Sequence, residues 1–152
     1  MIMQPLPKHG SCFVCGSDDS PGMGVVWYAL DDKSIFAEVT LNDAQQGPPG
    51  FAHGGASAAL LDEAMGAAVW LAGYRVASVN LNISYRKPVP LGQPFKVTAQ
   101  VNERNGKKVT AVGEICLADG TLAVSGEGIF VEAPQLFNGL GSEAGQVSED
   151  EL

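Results

Sequence analysis

Gly50-Phe51-Ala52-His53-Gly54-Gly55-Ala56-Ser57-Ala58-Ala59-Leu60-Leu61-Asp62-Glu63-Ala64-Met65-Gly66 is the stretch whose reading decides how this chain folds. A His-Gly-Gly turn runs directly into an Ala/Leu-rich segment that carries Asp62 nine residues after His53. From Ser57 to Leu71 the segment reads as a helix that is apolar almost all the way round, the pattern of a buried helix. Two glycines at its start leave backbone N–H groups without intrahelical partners. Donors of that kind can hold a carbonyl oxygen as it gains charge. A carboxylate within an apolar helix is costly unless it is paired or put to use. Asp62 is read as used. Glu63, about 100° further round the helix, is read as a solvated or ion-paired neighbour.

Composition bounds the rest. A chain of 152 residues, 45% hydrophobic and 17% charged, is one domain with room for a sizeable core. Its net charge of −8 argues against nucleic acid or an anionic membrane surface as partner. No apolar run approaches the roughly 18 residues that span a bilayer. The first ten residues lack the charged-then-apolar build of a signal peptide, so a cytoplasmic location is expected.

Cys12, Cys15 and Cys116 do not make a disulfide framework. Cys12-Phe13-Val14-Cys15 invites a zinc or a redox reading. Zinc needs four ligands, yet no second cysteine pair appears and His9 is the only imidazole nearby. A redox pair would open a helix, whereas Gly16 to Gly22 reads as turn. The pair is therefore expected to be a structural knuckle that fastens the N-terminus, and no metal ligands are assigned.

Residues 1–23 are loop-rich, and two strands are expected at Gly24–Leu30 and Ser34–Leu41. Asn42 to Gly50 is a polar loop leading to the helix, and Gly73 stands where a C-terminal cap belongs. A period-2 run follows, with Ala77, Val79, Leu81, Ile83 and Tyr85 on one face and Ser78, Asn80, Asn82, Ser84 and Arg86 on the other. Phe95 to Asn102 alternates again, Asn105-Gly106 marks a hairpin, and Asp119-Gly120 marks a second turn. The expected fold class is α+β: an antiparallel sheet wrapped around one long central helix. The folded domain is expected over 24–132, and 133–152 reads as a solvated acidic tail.

The strand order, the His53-Gly54-Gly55 turn with Asp62, and Asn80-Leu-Asn82-Ile-Ser-Tyr85-Arg86-Lys87-Pro88-Val-Pro90-Leu together resemble the hotdog-fold acyl-CoA thioesterases. The wording Gly47-Pro-Pro-Gly-Phe-Ala-His-Gly-Gly55 is similar to the branch containing the mammalian mitochondrial long-chain acyl-CoA thioesterases, with the PaaI-type enzymes more distant. The resemblance implies a catalytic set of Asp62 as nucleophile or general base, His53 with Gly54 and Gly55 at the thioester carbonyl, and Ser78 orienting the attacking water or the carboxylate. Six residues before the histidine many relatives carry Asn or Gln; here the position is Gly47, with Gln45 and Gln46 beside it. It implies hydrolysis of a fatty or aryl acyl-CoA with no cofactor beyond the CoA of the substrate. The alternative on the same fold is a non-catalytic acyl-CoA or fatty-acid binder.

His53 and Asp62 lie roughly 13 Å apart along a helix, so they cannot meet around one thioester within a single chain. An antiparallel two-fold dimer brings the helix start of one copy opposite mid-helix of the other. The resemblance implies the same, a homodimer with shared sites, often paired into tetramers. Candidate substrate-binding residues are Gly47, Phe51 and Asn80, with Arg86, Lys87 and Lys108 as cations for the CoA phosphates. Met65 and Trp70 fit an acyl pocket or the core equally well.

Overall fold

The structure, a computed structural model, describes residues 3–16 and 22–137. It is built on helix α1, Gly54–Leu71, which begins three residues earlier than the apolar run suggests. His53 is the reason: its backbone is extended and its Nδ1 accepts the Gly55 N–H at 2.8 Å, capping the first turn. At the other end Gly73, at φ +103°, and Tyr74 return their N–H groups to Trp70 and Val69 in a Schellman closure.

Seven antiparallel strands cover the helix: β1 (Gln4–Pro5), β2 (Tyr28–Ala29), β3 (Ile35–Val39), β4 (Val76–Tyr85), β5 (Phe95–Asn105), β6 (Lys108–Leu117) and β7 (Leu122–Glu132). Their order across the sheet is β1-β2-β3-β5-β6-β7-β4. The first expected strand shrinks to Tyr28–Ala29, because residues 25–27 instead answer the N-terminal segment: the Leu6 N–H donates to the Trp27 carbonyl and the Val25 N–H to that of Val14. That segment is part of the core rather than a loop outside it, with Val14 and Cys15 at 4% and 2% exposure. Of the expected tail, Ala133 is buried and Phe137 tilts against Trp70; residues 138–152 lie outside those described.

Alternation on the central strands is clean. Phe95, Val97 and Ala99 of β5 point inward, in register with Val39, Ala37 and Ile35 of β3. The helix sits close to the sheet because β6 and β7 present glycine to it. A Cβ on Gly113 would stand 3.1 Å from Leu61, and one on Gly126 would lie 3.4 Å from the same side chain. Leu61 and Met65 fill that groove and are fully buried. The sheet edge at β4 is another matter. It is ten residues long, pairs only with β7, and exposes Val79, Leu81 and Tyr85. Among the described residues no helix is long and apolar enough to cross a membrane.

Leu61→Ala removes the side chain that fills the glycine groove, and is expected to cost about 2–5 kcal/mol of stability. Urea unfolding of the variant beside wild type measures it.

Candidate active site

Asp62 sits mid-helix, half-buried, on the side of α1 that the glycine groove does not enclose. Burial pushes its carboxyl above the ordinary aspartate value and the charge of neighbouring Glu63 adds to the rise, while the Ser78 hydroxyl draws it partly back. The strict period-2 reading of β4 put Ser78 on the face opposite Leu81 and Ile83. A β-bulge changes this. The register with β7 runs Ser78↔Phe130 and then Asn80↔Ile129, so Val79 is the extra residue. Ser78 thereby shares the helix-facing side with Leu81 and Ile83, and meets Asp62. Asn80 falls on the outer face, away from Asp62, because its partner Ile129 alternates with the inward-facing Gly128 and Phe130.

A second group of expected residues gathers at the helix start. The Gly55 N–H is already donated to His53 Nδ1, and those of Ala56 and Ser57 go to the His53 carbonyl. Gly55 is therefore a capping donor rather than a donor to substrate. Among the described residues the Gly54 N–H has no protein acceptor, and it is the one left at this end for an incoming oxygen. Because Nδ1 accepts, the proton of the neutral His53 ring is on Nε2. Tyr85 fastens the turn from the sheet: its hydroxyl donates to the Gly54 carbonyl at 2.7 Å. Sequence reasoning missed that role, since nothing in the alternation separates Tyr85 from the apolar face it shares.

The loop before the turn explains Gly47. A Cβ there would lie 2.7 Å from the His53 Cα, so the loop backbone packs directly on the histidine. Gln45 and Gln46 do not stand in for a missing amide with their carbonyl oxygens, which bond the Asn42 and Gly50 N–H groups. Phe51 is half-buried in the same loop and bridges to Pro90. Arg86 and Lys87 follow Tyr85 at the end of β4 and are exposed. Lys108 is at the far end of the sheet, where Val131 pairs both with it and with Ala77. Met65 is core. Trp70 instead walls an apolar cavity of about 150 Å³ with Trp27, Ala67 and Leu71, which neither Asp62 nor His53 lines.

Of the two readings of Glu63, solvated or ion-paired, the structure gives the second: its Oε1 lies 3.5 Å from His9 Nδ1. Burial works to raise its carboxyl, but His9, Cys15 and Cys12 crowd around it and hold it below the ordinary glutamate value.

One long helix capped by His-Gly-Gly against a seven-stranded antiparallel sheet is the hotdog arrangement. A family model described as the thioesterase superfamily matches residues 49–124, from within the Gly47–Gly55 loop to the first residues of β7. The chain belongs to the thioesterase superfamily. Its sequence is 30% identical to the acyl-coenzyme A thioesterase THEM4 of Bos taurus over 134 residues, 87% of this chain and 55% of that one. A crystal structure of a thioesterase superfamily protein superposes with a TM-score of 0.70 at 40% identity, covering 73% of this chain and 55% of the other. The protein smu.793 of Streptococcus mutans, solved bound to acetyl CoA, shares the fold at a TM-score of 0.64 and 16% identity, over 66% of this chain and 82% of its own. The chain matches 39% of the length of one curated relative and 55% of another.

A side chain at Gly47 cannot swing away from the backbone it meets. Gly47→Ala is expected to cost about 1–3 kcal/mol, the range for overpacking a tight contact, as read by chemical denaturation.

Proposed function

We propose that this protein hydrolyses acyl-CoA thioesters, with Asp62 and Ser78 of one copy acting on a thioester whose carbonyl is held at the His53-Gly54 helix start of a second copy. The observation that carries the reading is the bulge at Val79, which turns the Ser78 hydroxyl onto the half-buried carboxylate of Asp62. A thioester is already an activated acyl group, so the site has two tasks: to deliver an oxygen and to stabilise charge on the carbonyl until the C–S bond breaks and CoA leaves as a thiolate that takes up the proton released from water.

Asp62 performs the first. A carboxylate whose basicity is raised by desolvation takes a proton from water, or attacks with its own oxygen, more readily than a solvated one. Ser78 donates to that carboxylate and fixes its orientation. The Gly54 N–H performs the second, aided by the partial positive charge of the α1 N-terminus. His53 Nε2–H lies beside it as a further donor. No metal or redox cofactor enters these steps; the CoA is part of the substrate.

The dimer follows from spacing. Mid-helix and helix start are roughly 13 Å apart in one chain. The unpaired, apolar edge at β4 supports antiparallel pairing with a second β4 across a two-fold axis. That pairing sets the Tyr85 end of one copy beside the Val76 end of the other, so Arg86 and Lys87 of one copy lie toward the end of the other copy's sheet that carries Lys108, about three strand spacings away. The named activity of the bovine relative and the acetyl CoA bound by the streptococcal protein agree with this substrate class.

Two measurements test the proposal. Thiol release from acyl-CoAs of graded chain length and from phenylacetyl- and benzoyl-CoA is expected for wild type, falling by about a hundredfold or more in a folded, dimeric Asp62→Ala variant. Binding without turnover of any thioester by wild type would favour the binding-protein alternative. Leu81→Glu, on the exposed edge strand, is expected to give a monomer with Asp62 intact and hydrolysis lost; a verified monomer that keeps full activity would sink the shared site.

A further inference from the structure

The Cys12-x-x-Cys15 pair finds in three dimensions what it lacks in the sequence. His9, Cys12 and Cys15 come from the N-terminal segment and Glu63 from α1, and their ligand atoms all lie within 4.8 Å of one another. The two cysteines are free thiols. Glu63 Oε1 is 3.0 Å from Cys15 Sγ, 3.7 Å from Cys12 Sγ and 3.5 Å from His9 Nδ1, and Cys15 Sγ is 3.3 Å from the same Nδ1.

Hydrogen bonding accounts poorly for this arrangement. Both thiols and the imidazole converge on one carboxylate oxygen, which has two lone pairs, while Cys15 also claims the imidazole nitrogen. A shared centre accounts for it better. Zinc bonds to sulfur at about 2.3 Å and to nitrogen or carboxylate oxygen at about 2.0–2.2 Å, which puts the corners of a tetrahedron roughly 3.3–3.8 Å apart. The four separations given above, 3.0–3.7 Å, fall on or just inside those edges.

Local structure presents the ligands together. The Cys12 N–H donates to the His9 carbonyl and the Gly16 N–H to that of Cys12, so two successive tight turns place residues 9, 12 and 15 on one side. His9 stacks on Trp70 at 4.6 Å, which fixes the ring with Nδ1 toward the cluster. Val14 and Cys15 are buried, so the turns cannot drift from the helix without opening the core.

We propose that His9, Cys12, Cys15 and Glu63 bind a single Zn²⁺ ion that staples the N-terminal segment to α1 beside Asp62. Two soft thiolates and an imidazole select zinc over magnesium or calcium. Four protein ligands close the coordination sphere, so the ion is structural and takes no substrate. Its binding free energy adds to folding, because the unfolded chain holds Glu63 far from the knuckle: 48 residues separate it from Cys15.

The test uses the full chain, purified without a metal-binding tag and kept reduced under anaerobic conditions. Elemental analysis is expected to find about one zinc per chain, and chelation to lower Tm until zinc is restored. Cobalt(II) in place of zinc is expected to give the intense visible bands of a tetrahedral ion with thiolate charge transfer. Cys15→Ser and Glu63→Gln should each weaken zinc by more than the roughly 10–100-fold that outer-shell partners contribute. Reduced wild type that takes up neither zinc nor cobalt overturns the proposal, as does a Cys12–Cys15 disulfide in protein never exposed to oxidant. Cobalt bands unchanged by Glu63→Gln remove Glu63 as the fourth ligand. The wild-type cobalt spectrum does not depend on whether the variants fold.

Discussion

Two neighbouring carboxylates in the middle of a buried helix constrain everything around them. Leu60, Leu61, Ala64 and Met65 must enter the core, and they carry Asp62 and Glu63 part of the way with them. Desolvation disfavours the charged form of each, and the fold answers the two in different ways. Glu63 receives an imidazole and two thiols from the N-terminal segment, enough to reverse the shift that burial would produce. Asp62 receives a single hydroxyl, and its carboxyl stays raised. One carboxylate is satisfied. The other keeps a raised carboxyl.

That division depends on two devices far apart in the chain. The knuckle at Cys12 and Cys15 has to reach α1, which is why the first expected strand gives up its N-terminal half to bond residues 6 and 14. The bulge at Val79 has to turn Ser78 inward without disturbing Ile83, which packs over Gly126 two strand pairs further on. Without the bulge, Ser78 and Ile83 could not share a face, since residues five apart on a regular strand point to opposite sides. A bulge on an edge strand beside a reactive group is a recurrent use of this irregularity.

Much of this was legible in the sequence. The helix, its glycine terminator, the hairpin turns and the alternation of β5 follow from local periodicity and turn chemistry, which is why those elements match. Asp62 and the His53 turn also stood out, as features that an apolar helix does not otherwise tolerate. What could not be read depended on distant chain. A period-2 pattern carries no mark of an inserted residue, so Ser78 came out on the wrong face for the neighbour it meets. Glu63 read as solvated or ion-paired, but the partners that decide between the two could not be named, because they lie some fifty residues earlier. Gly47 looked like a lost functional amide, yet the Cβ contact with His53 shows a backbone packing position. Residues 1–23 and 133–152 looked peripheral because turn-forming residues run through both and acidic ones through the second, although Val14, Cys15 and Ala133 reach the core.

The helix start shows how a cap can double as part of a binding surface. An N-cap serine or aspartate would satisfy the same orphan donor as His53, but would leave no further hydrogen-bonding group facing outward. Histidine spends Nδ1 on Gly55 and keeps Nε2–H available, so one side chain stabilises the helix and offers a donor beside the open Gly54 N–H. Tyr85 packs its ring where a Gly54 side chain would stand and holds the Gly54 carbonyl at 2.7 Å, which fixes the orientation of that residue. The sheet, through Tyr85, and the loop, through Gly47, thus fix both sides of the turn. Under the proposed function, an oxygen arriving at Gly54 would meet a donor already in place, and preorganisation of that kind lowers the cost of developing negative charge.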